Sequence, residues 1–301
     1  MTPTHGKHDS LIKTVEALAS RADEFLSSPM ARWITLVMKD AIQGKGSDEF
    51  GMDPTFMDLA RPVFQFLYHQ YFRVEVQGLR NVPTRGPAIL VANHAGALPY
   101  DGAMTHLAVF NGTGERRGVR FLVDDFAYDL PLIGTLIQRL GGVRASQENA
   151  SRLLAAGHLI IAFPEGVRGI GKTYDERYKI KRFGKGGFVR LAMRTRVPIV
   201  PVAIVGSEEV HPIIWKSHRF AEPLGLPFIP FTPTFPWLGP LGLVPLPSKW
   251  KIVFMKPVSF AKCSSRDAEK ENLVQRKADQ IKDAVQRTLD RELAGRKSVW
   301  A

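Results

Sequence analysis

A chain of 301 residues, 45% apolar and 23% charged, has the composition of a folded globular protein long enough to bury a sizeable core in one large domain, with or without appendages. Its single cysteine, Cys263, excludes an internal disulfide framework and any Cys-rich metal site, and suits a reducing compartment. The balance of 41 Lys+Arg against 29 Asp+Glu gives +12; ten of the basic residues lie between 168 and 196 beside only Asp175 and Glu176, which predicts an anionic partner or a solvated basic face.

Residues 8–43 read as helical, with Leu11, Val15, Leu18, Phe25 and Leu26 in a near-heptad stripe. The opening residues lack the apolar core of a secretory signal, and no apolar stretch approaches the roughly 18–20 residues of a membrane-spanning helix. A polar break at 44–54 reads as a linker, and TFMDLARPVFQFLYHQYF (55–72) resumes as helix. Strands and helices then alternate. FRVEVQG, AILVAN, VRFLVDD, HLIIAF and VPIVPVAIVG read as strands; LPLIGTLIQRLGG, ENASRLLAAG and FGKGGFVRLAMRT read as helices. This order predicts an α/β fold with a mostly parallel central sheet flanked by helices. Eight prolines across 222–250 forbid a regular helix or central strand there. KIVFMKPVSF reads as a last strand, and 266–297 as a helix with Leu273, Ile281, Val285, Leu289 and Leu293 on one stripe. The expected organisation is an N-terminal helical segment (1–55), a catalytic body (56–265) and a C-terminal helix (266–301).

The stretch FPEGVRGIGKT (163–173) carries two signatures. From Gly166 it reads G-x-x-x-x-G-K-T, a phosphate-cradling loop that would use Lys172. The strand that must precede such a loop is present, but YDERYKIKRFGKGG, where its helix should follow, is polar nearly all round. No downstream apolar strand ends in Asp to hold a magnesium ion. The P-loop nucleotide hydrolase stands as one alternative. In NHAGALPYDG (93–102), by contrast, His94 follows a strand and Asp101 lies a few residues on. Acyl transfer to an alcohol needs a base for the hydroxyl proton, and imidazole suits that at neutral pH. A nearby carboxylate can fix the tautomer and stabilise the imidazolium.

NH…D at 93–101, FPEGVR at 163–168, FGKGGFVRLA at 183–192 and VPIVPVAI at 197–204 stand in one order. In that order and approximate spacing, the chain resembles the lysophospholipid and glycerol-phosphate acyltransferases over about residues 70–260. The resemblance implies His94 as general base, Asp101 as its partner, and Glu165, Gly166 and Arg168 at the acceptor site. It implies acyl-CoA or acyl-carrier protein as donor, with no metal and no cofactor. A guanidinium just past a strand end also suits phosphate recognition, with a surface ion pair as the plain alternative for Arg168. Arg144, Lys172 and Lys185 are further substrate-binding candidates. Three departures stand out: six residues rather than four separate His94 from Asp101, Arg144 falls outside the column of the family's acceptor arginine, and Gly169 occupies a position where Ser is common. They leave the acceptor open between lysophosphatidic acid and a neutral lipid such as diacylglycerol or a long-chain alcohol.

Phe228, Ile229, Phe231, Phe235, Trp237, Leu238, Leu241 and Trp250 make the 222–250 segment a candidate membrane-facing loop, with a Pro-rich cover over the core as the alternative. The expectation is a peripheral enzyme on the cytoplasmic, inner face of the membrane. Nucleic acid is not an expected partner, because the aromatics cluster away from the basic run. A non-catalytic basic lipid-binding protein is the remaining alternative.

Overall fold

The computed structural model describes residues 47–95, 100–130 and 133–300. The helical stripe expected over 8–43 lies outside the described residues. The apolar runs of the sequence form one seven-stranded sheet: β1 (Glu75–Gln77), β2 (Ala88–Ala92), β3 (Val119–Val123), β4 (Gly142–Arg144), β5 (Leu159–Ala162), β6 (Ile199–Val205) and, after a hairpin described below, β9 (Lys251–Phe254). Their order across the sheet is β1-β9-β6-β2-β5-β3-β4. Strands β2 to β6 run parallel, whereas β9 pairs antiparallel with β6 and parallel with β1. The fold is α/β and mostly parallel, as the alternation predicted.

The helices are α1 (Pro54–Phe66), α2 (Tyr100–Gly112), α3 (Asp125–Tyr128), α4 (Ile133–Arg139), α5 (Gln147–Ala155), α6 (Val167–Ile170), α7 (Gly187–Thr195) and α8 (Glu271–Ala294). Strand β2 shows why the central strands read as unbroken apolar runs. Ala88, Leu90 and Ala92 enter one core with residues of α2 and α4, while Ile89 and Val91 enter another with α5, α7 and α8. Both faces are covered, so no polar alternation survives. Helix α1 starts where Asp53 Oδ1 accepts from Phe56 N at 3.1 Å and Pro54 takes the first turn. The C-terminal stripe packs as expected: Ile281, Val285 and Leu289 are buried, and α8 lies against β6.

Several elements differ from expectation. Helix α2 was not legible because it is buried on nearly every side, from Gly102 through Val109, and has no amphipathic stripe to read. Strand β4 begins within the glycine pair that was expected to end a helix. The last strand stops at Phe254; beyond it Val258 makes only an isolated bridge to Ile199. Within the proline-rich region, β7 (Trp215–Ser217) and β8 (Ile229–Phe231) form a separate antiparallel hairpin, with Pro230 tolerated because the pair is all edge. Two of the aromatics expected to face a membrane belong to the interior instead. Trp250 is fully buried and stacks on Phe72 at 4.8 Å, and Phe228 is buried beside Ile170 and Ile213.

Candidate active site

The carboxyl ends of β2, β5 and β6 deliver three segments to one edge of the sheet: 93–95, 163–167 and 206–211. Asn93 ties the first to the sheet, its side-chain amide exchanging hydrogen bonds with Ile204 O at 3.0 Å and Ile204 N at 2.8 Å. His94 follows, and its ring stacks on Phe163 with 4.3 Å between centroids. The six intervening residues do not keep the pair apart: His94 Nδ1 lies 2.6 Å from Asp101 Oδ2. Residues 96–99 of that connection lie outside the described set. The Asp101 carboxylate is fully buried in the first turn of α2 and also accepts from Ala95 N at 3.2 Å and Gly102 N at 2.8 Å. Three donors therefore hold a carboxylate that has no access to water, and they fix the imidazole to donate through Nδ1. Nε2 remains the basic atom of the ring and has no protein partner among the described residues.

Glu165 fixes the same loop from the other side. Its carboxylate accepts from His94 N at 2.9 Å and from Lys181 N at 2.8 Å. Behind it Lys172 is buried, with Nζ 3.4 Å from Glu165 and 2.9 Å from Glu208; Glu208 in turn accepts from Tyr178 N at 2.8 Å. Burial pushes the Glu208 carboxyl above the ordinary range, against the pull of Lys172. Gly166 turns the chain out of β5 with φ 56° and ψ −145°, a backbone region essentially reserved for glycine. At Gly169 a Cβ would stand 2.7 Å from Glu165 Cβ and 2.9 Å from His94 Cβ. The absence of a Cβ at Gly169 is thus what lets α6 close onto the His94 loop.

The cationic candidates separate. Arg168 is exposed on α6 and Lys185 is exposed ahead of α7, and neither forms an ion pair among the described residues. Arg144 is held by Asp125 at 2.8 Å and by Asp129, over the Tyr128 ring. Lys172 is removed from ligands altogether: its ammonium is enclosed by two carboxylates. The P-loop alternative needs that lysine in the first turn of a helix, facing a phosphate; here the helix of that region, α6, spans only Val167–Ile170 and ends before it. Much of the basic run is likewise spent locally. Lys181 pairs with Glu176, Arg190 with Glu271 and Arg194 with Glu269, so part of the expected basic face is a seam that binds α7 to the C-terminal segment.

Two cavities meet His94, and a third lies beside them. A small one, about 80 Å³, is lined by His94, Asp101, Asp124, Phe163, Gly166 and Ile170. It shares Phe121 and Ile137 with an apolar cavity of about 370 Å³ between α1, α2 and α4, walled by Met57, Phe64, Tyr100, Leu107 and Leu140. On the other side of His94 lies a groove of about 380 Å³ along Ser146, Gln147, Gly184 and Gly187. Sequence reasoning missed Glu208, Tyr178 and the walls of the apolar cavity. The acidic doublet Glu208–Glu209 directly after a buried strand was the available signal, since two carboxylates there require buried partners; Glu209 finds Tyr178 at 2.8 Å and Arg296 at 2.5 Å.

The family model described as Acyltransferase matches residues 73–205. An uncharacterized protein of Mycobacterium tuberculosis is 46% identical over 254 residues, 84% of this chain and 71% of its own. A Homo sapiens protein described as a DGAT1/2-independent enzyme synthesizing storage lipids is 29% identical over 173 residues, 56% of this chain and 51% of its own, so the match spans about half of that relative. The crystal structure of the 1-acyl-sn-glycerophosphate (LPA) acyltransferase PlsC from Thermotoga maritima aligns over 96% of this chain and 94% of its own. With a TM-score of 0.50 and 22% identity, it is a likeness of fold.

Proposed function

Because the chain belongs to the Acyltransferase family, we propose that it moves a fatty acyl group from acyl-CoA or acyl-carrier protein to the hydroxyl of a lipid. The observation that carries this reading is the 2.6 Å contact of His94 Nδ1 with the buried Asp101 carboxylate, which leaves Nε2 unpartnered at a cavity that shares Phe121 and Ile137 with a larger apolar one. Nε2 takes the acceptor's hydroxyl proton as its oxygen attacks the thioester carbonyl. Asp101 stabilises the imidazolium, which then protonates the departing thiolate. The proton is returned within the cycle, and the proposal invokes no metal or redox cofactor. The apolar cavity suits the acyl chain, because ten of its thirteen lining residues are apolar, with Arg61, Tyr100 and His106 the exceptions.

For the acceptor, a neutral glycerolipid hydroxyl is favoured. Of the four cations considered for a phosphate, Arg144 and Lys172 are already neutralised by carboxylates. The storage-lipid description of the human relative is consistent with that choice. Arg168, exposed on the helix whose Val167 and Ile170 line the His94 cavity, supports lysophosphatidic acid as the second reading. Site of action at a membrane surface is part of the proposal; among the described residues no helix is long and apolar enough to cross a bilayer.

The test is transfer from labelled acyl-CoA, and from acyl-carrier protein, to a panel of diacylglycerol, long-chain alcohol and lysophosphatidic acid, read by mass spectrometry. His94→Ala is expected to abolish transfer to every acceptor while circular dichroism is unchanged. Retention of more than a few per cent of activity would remove His94 as the base. Arg168→Gln separates the acceptors: it lowers activity on lysophosphatidic acid and leaves diacylglycerol untouched.

A further inference from the structure

We propose that the β7–β8 hairpin and the turn that follows it, residues 232–244, form the surface by which this protein seats on an anionic lipid leaflet. The proposal rests on the reading of the site as one that handles lipids. Eight of the eleven large apolar side chains exposed among the described residues fall between 214 and 244. Trp215, Phe231 and Trp237 are in ring contact, at 4.6 and 6.3 Å, and Trp237 is 71% exposed. These rings are held outward by the local chain. Thr232 N donates to Phe235 O at 2.8 Å and Thr234 Oγ1 to Gly242 O at 3.2 Å, so docking has little ordering entropy to overcome. An exposed aromatic and leucine cluster of this extent on one segment calls for an apolar partner.

Two observations select a bilayer as that partner. The first is charge. Residues 212–250 contain Lys216, Arg219 and Lys249 against a single carboxylate, Glu222; Lys249 is spent on Glu75 at 2.9 Å, whereas Arg219 is exposed beside the hairpin next to the equally exposed His218. Tryptophan with flanking cations is the composition that partitions to a headgroup region, with the cations facing anionic lipids. The second is continuity with the site. The inner side of the hairpin, through Ile213 and Phe228, packs on Ile170, which lines the His94 cavity, and Lys216 Nζ donates to Gly171 O at 2.7 Å. Beyond the turn, Pro245 O accepts from Tyr71 OH at 2.6 Å, and Tyr71 lies 6.3 Å from the exposed ring of Phe66 on α1, the helix that also supplies Met57 and Phe64 to the apolar cavity. The apolar surface is therefore braced against two elements, α6 and α1, that line those cavities. Sequence alone had included Phe228 and Trp250 in such a face; the structure takes these two out and adds Ile214 and Trp215.

The experiment is co-sedimentation of the full chain with vesicles of phosphatidylcholine alone or with added phosphatidylglycerol, beside activity on a short-chain, water-dispersed acceptor. Wild type is expected to bind, and to bind more tightly with the anionic lipid. Trp215→Ser/Trp237→Ser is expected to lose at least tenfold in vesicle affinity while keeping its melting temperature and its activity on the dispersed acceptor; Trp300→Ser, an exposed tryptophan outside the patch, should bind like wild type. The proposal is overturned if wild type does not bind vesicles or if the double variant binds as wild type does. It is equally overturned if the patch proves to be sealed in a dimer that the double variant dissociates. Binding is read without turnover. Vesicle binding without transfer to any acceptor would sink the enzymatic reading alone, and transfer to the dispersed acceptor without vesicle binding would sink the docking surface alone.

Discussion

Lys172→Met is the most informative single change, because the same residue is a phosphate ligand in one reading of the sequence and a buried counter-ion in the structure. Its ammonium lies 2.9 Å from Glu208 and 3.4 Å from Glu165, all three side chains almost wholly buried. With an effective dielectric constant near 20, those separations correspond to roughly 6 and 5 kcal/mol of attraction. Against this stands the cost of dehydrating the ammonium, several kcal/mol, which methionine does not incur; breaking a buried pair by removing one partner nets about 3–5 kcal/mol of destabilisation. That is a large share of the 5–15 kcal/mol typical of a folded domain. The pH dependence has a definite sign. Burial already holds Glu208 above its ordinary value, and Lys172 is the main force opposing it. Without the lysine the carboxyl rises further, so the folded variant binds more protons than its unfolded chain, and its stability is lost as pH rises through the folded pKa. Urea unfolding followed by circular dichroism should show the deficit growing as pH rises above the ordinary carboxylate range and shrinking as pH is lowered back towards it. Lys172→Met/Glu208→Gln should recover at least half of it. Because Glu165 holds His94 N, the single variant should also lower kcat more than it raises KM. A variant within 1 kcal/mol of wild type at pH 8 would refute the reasoning, and loss of ATP binding would return the P-loop to consideration.

Asp101→Asn keeps the shape of the site but removes the acceptor that sets the His94 tautomer; kcat is expected to fall about 10²–10⁴-fold with the melting temperature little changed, as measured by acyl transfer and calorimetry. Gly169→Ala drives a methyl against Glu165 and His94, so we expect about 1–3 kcal/mol lost in urea melts and a fall in kcat on the order of tenfold to a hundredfold from displacement of the imidazole. His211 is buried against Tyr100 with Nε2 unpaired, and burial lowers it to about 4 from an ordinary 6.5. The unfolded chain therefore binds the extra proton between those values, and stability falls with pH across that window at up to roughly 1.4 kcal/mol per pH unit; His211→Phe should flatten this part of the acid limb of a stability-versus-pH curve.

The central strands were legible because burial on both faces leaves unbroken apolar runs in β2, β5 and β6, and α8 was legible because only one side of it is buried. Helix α2 follows the opposite rule: enclosed almost all round, YDGAMTHLAVFNG carries no period to detect. For the site, residue order alone indicated that His94, Asp101 and Glu165 share one edge of the sheet, since strand ends and short motifs are local properties of a chain. Whether six intervening residues allow the imidazole to reach the carboxylate was decided by how α2 is seated against β2. Which cations face a ligand was likewise undecidable locally: Lys172 and Arg168 stand four positions apart, yet one is enclosed by Glu165 and Glu208 and the other is in water. Charge is written in the sequence, but a neutralising partner such as Glu208 sits 36 residues from Lys172, and only the packed tertiary structure brings the two within a few ångströms.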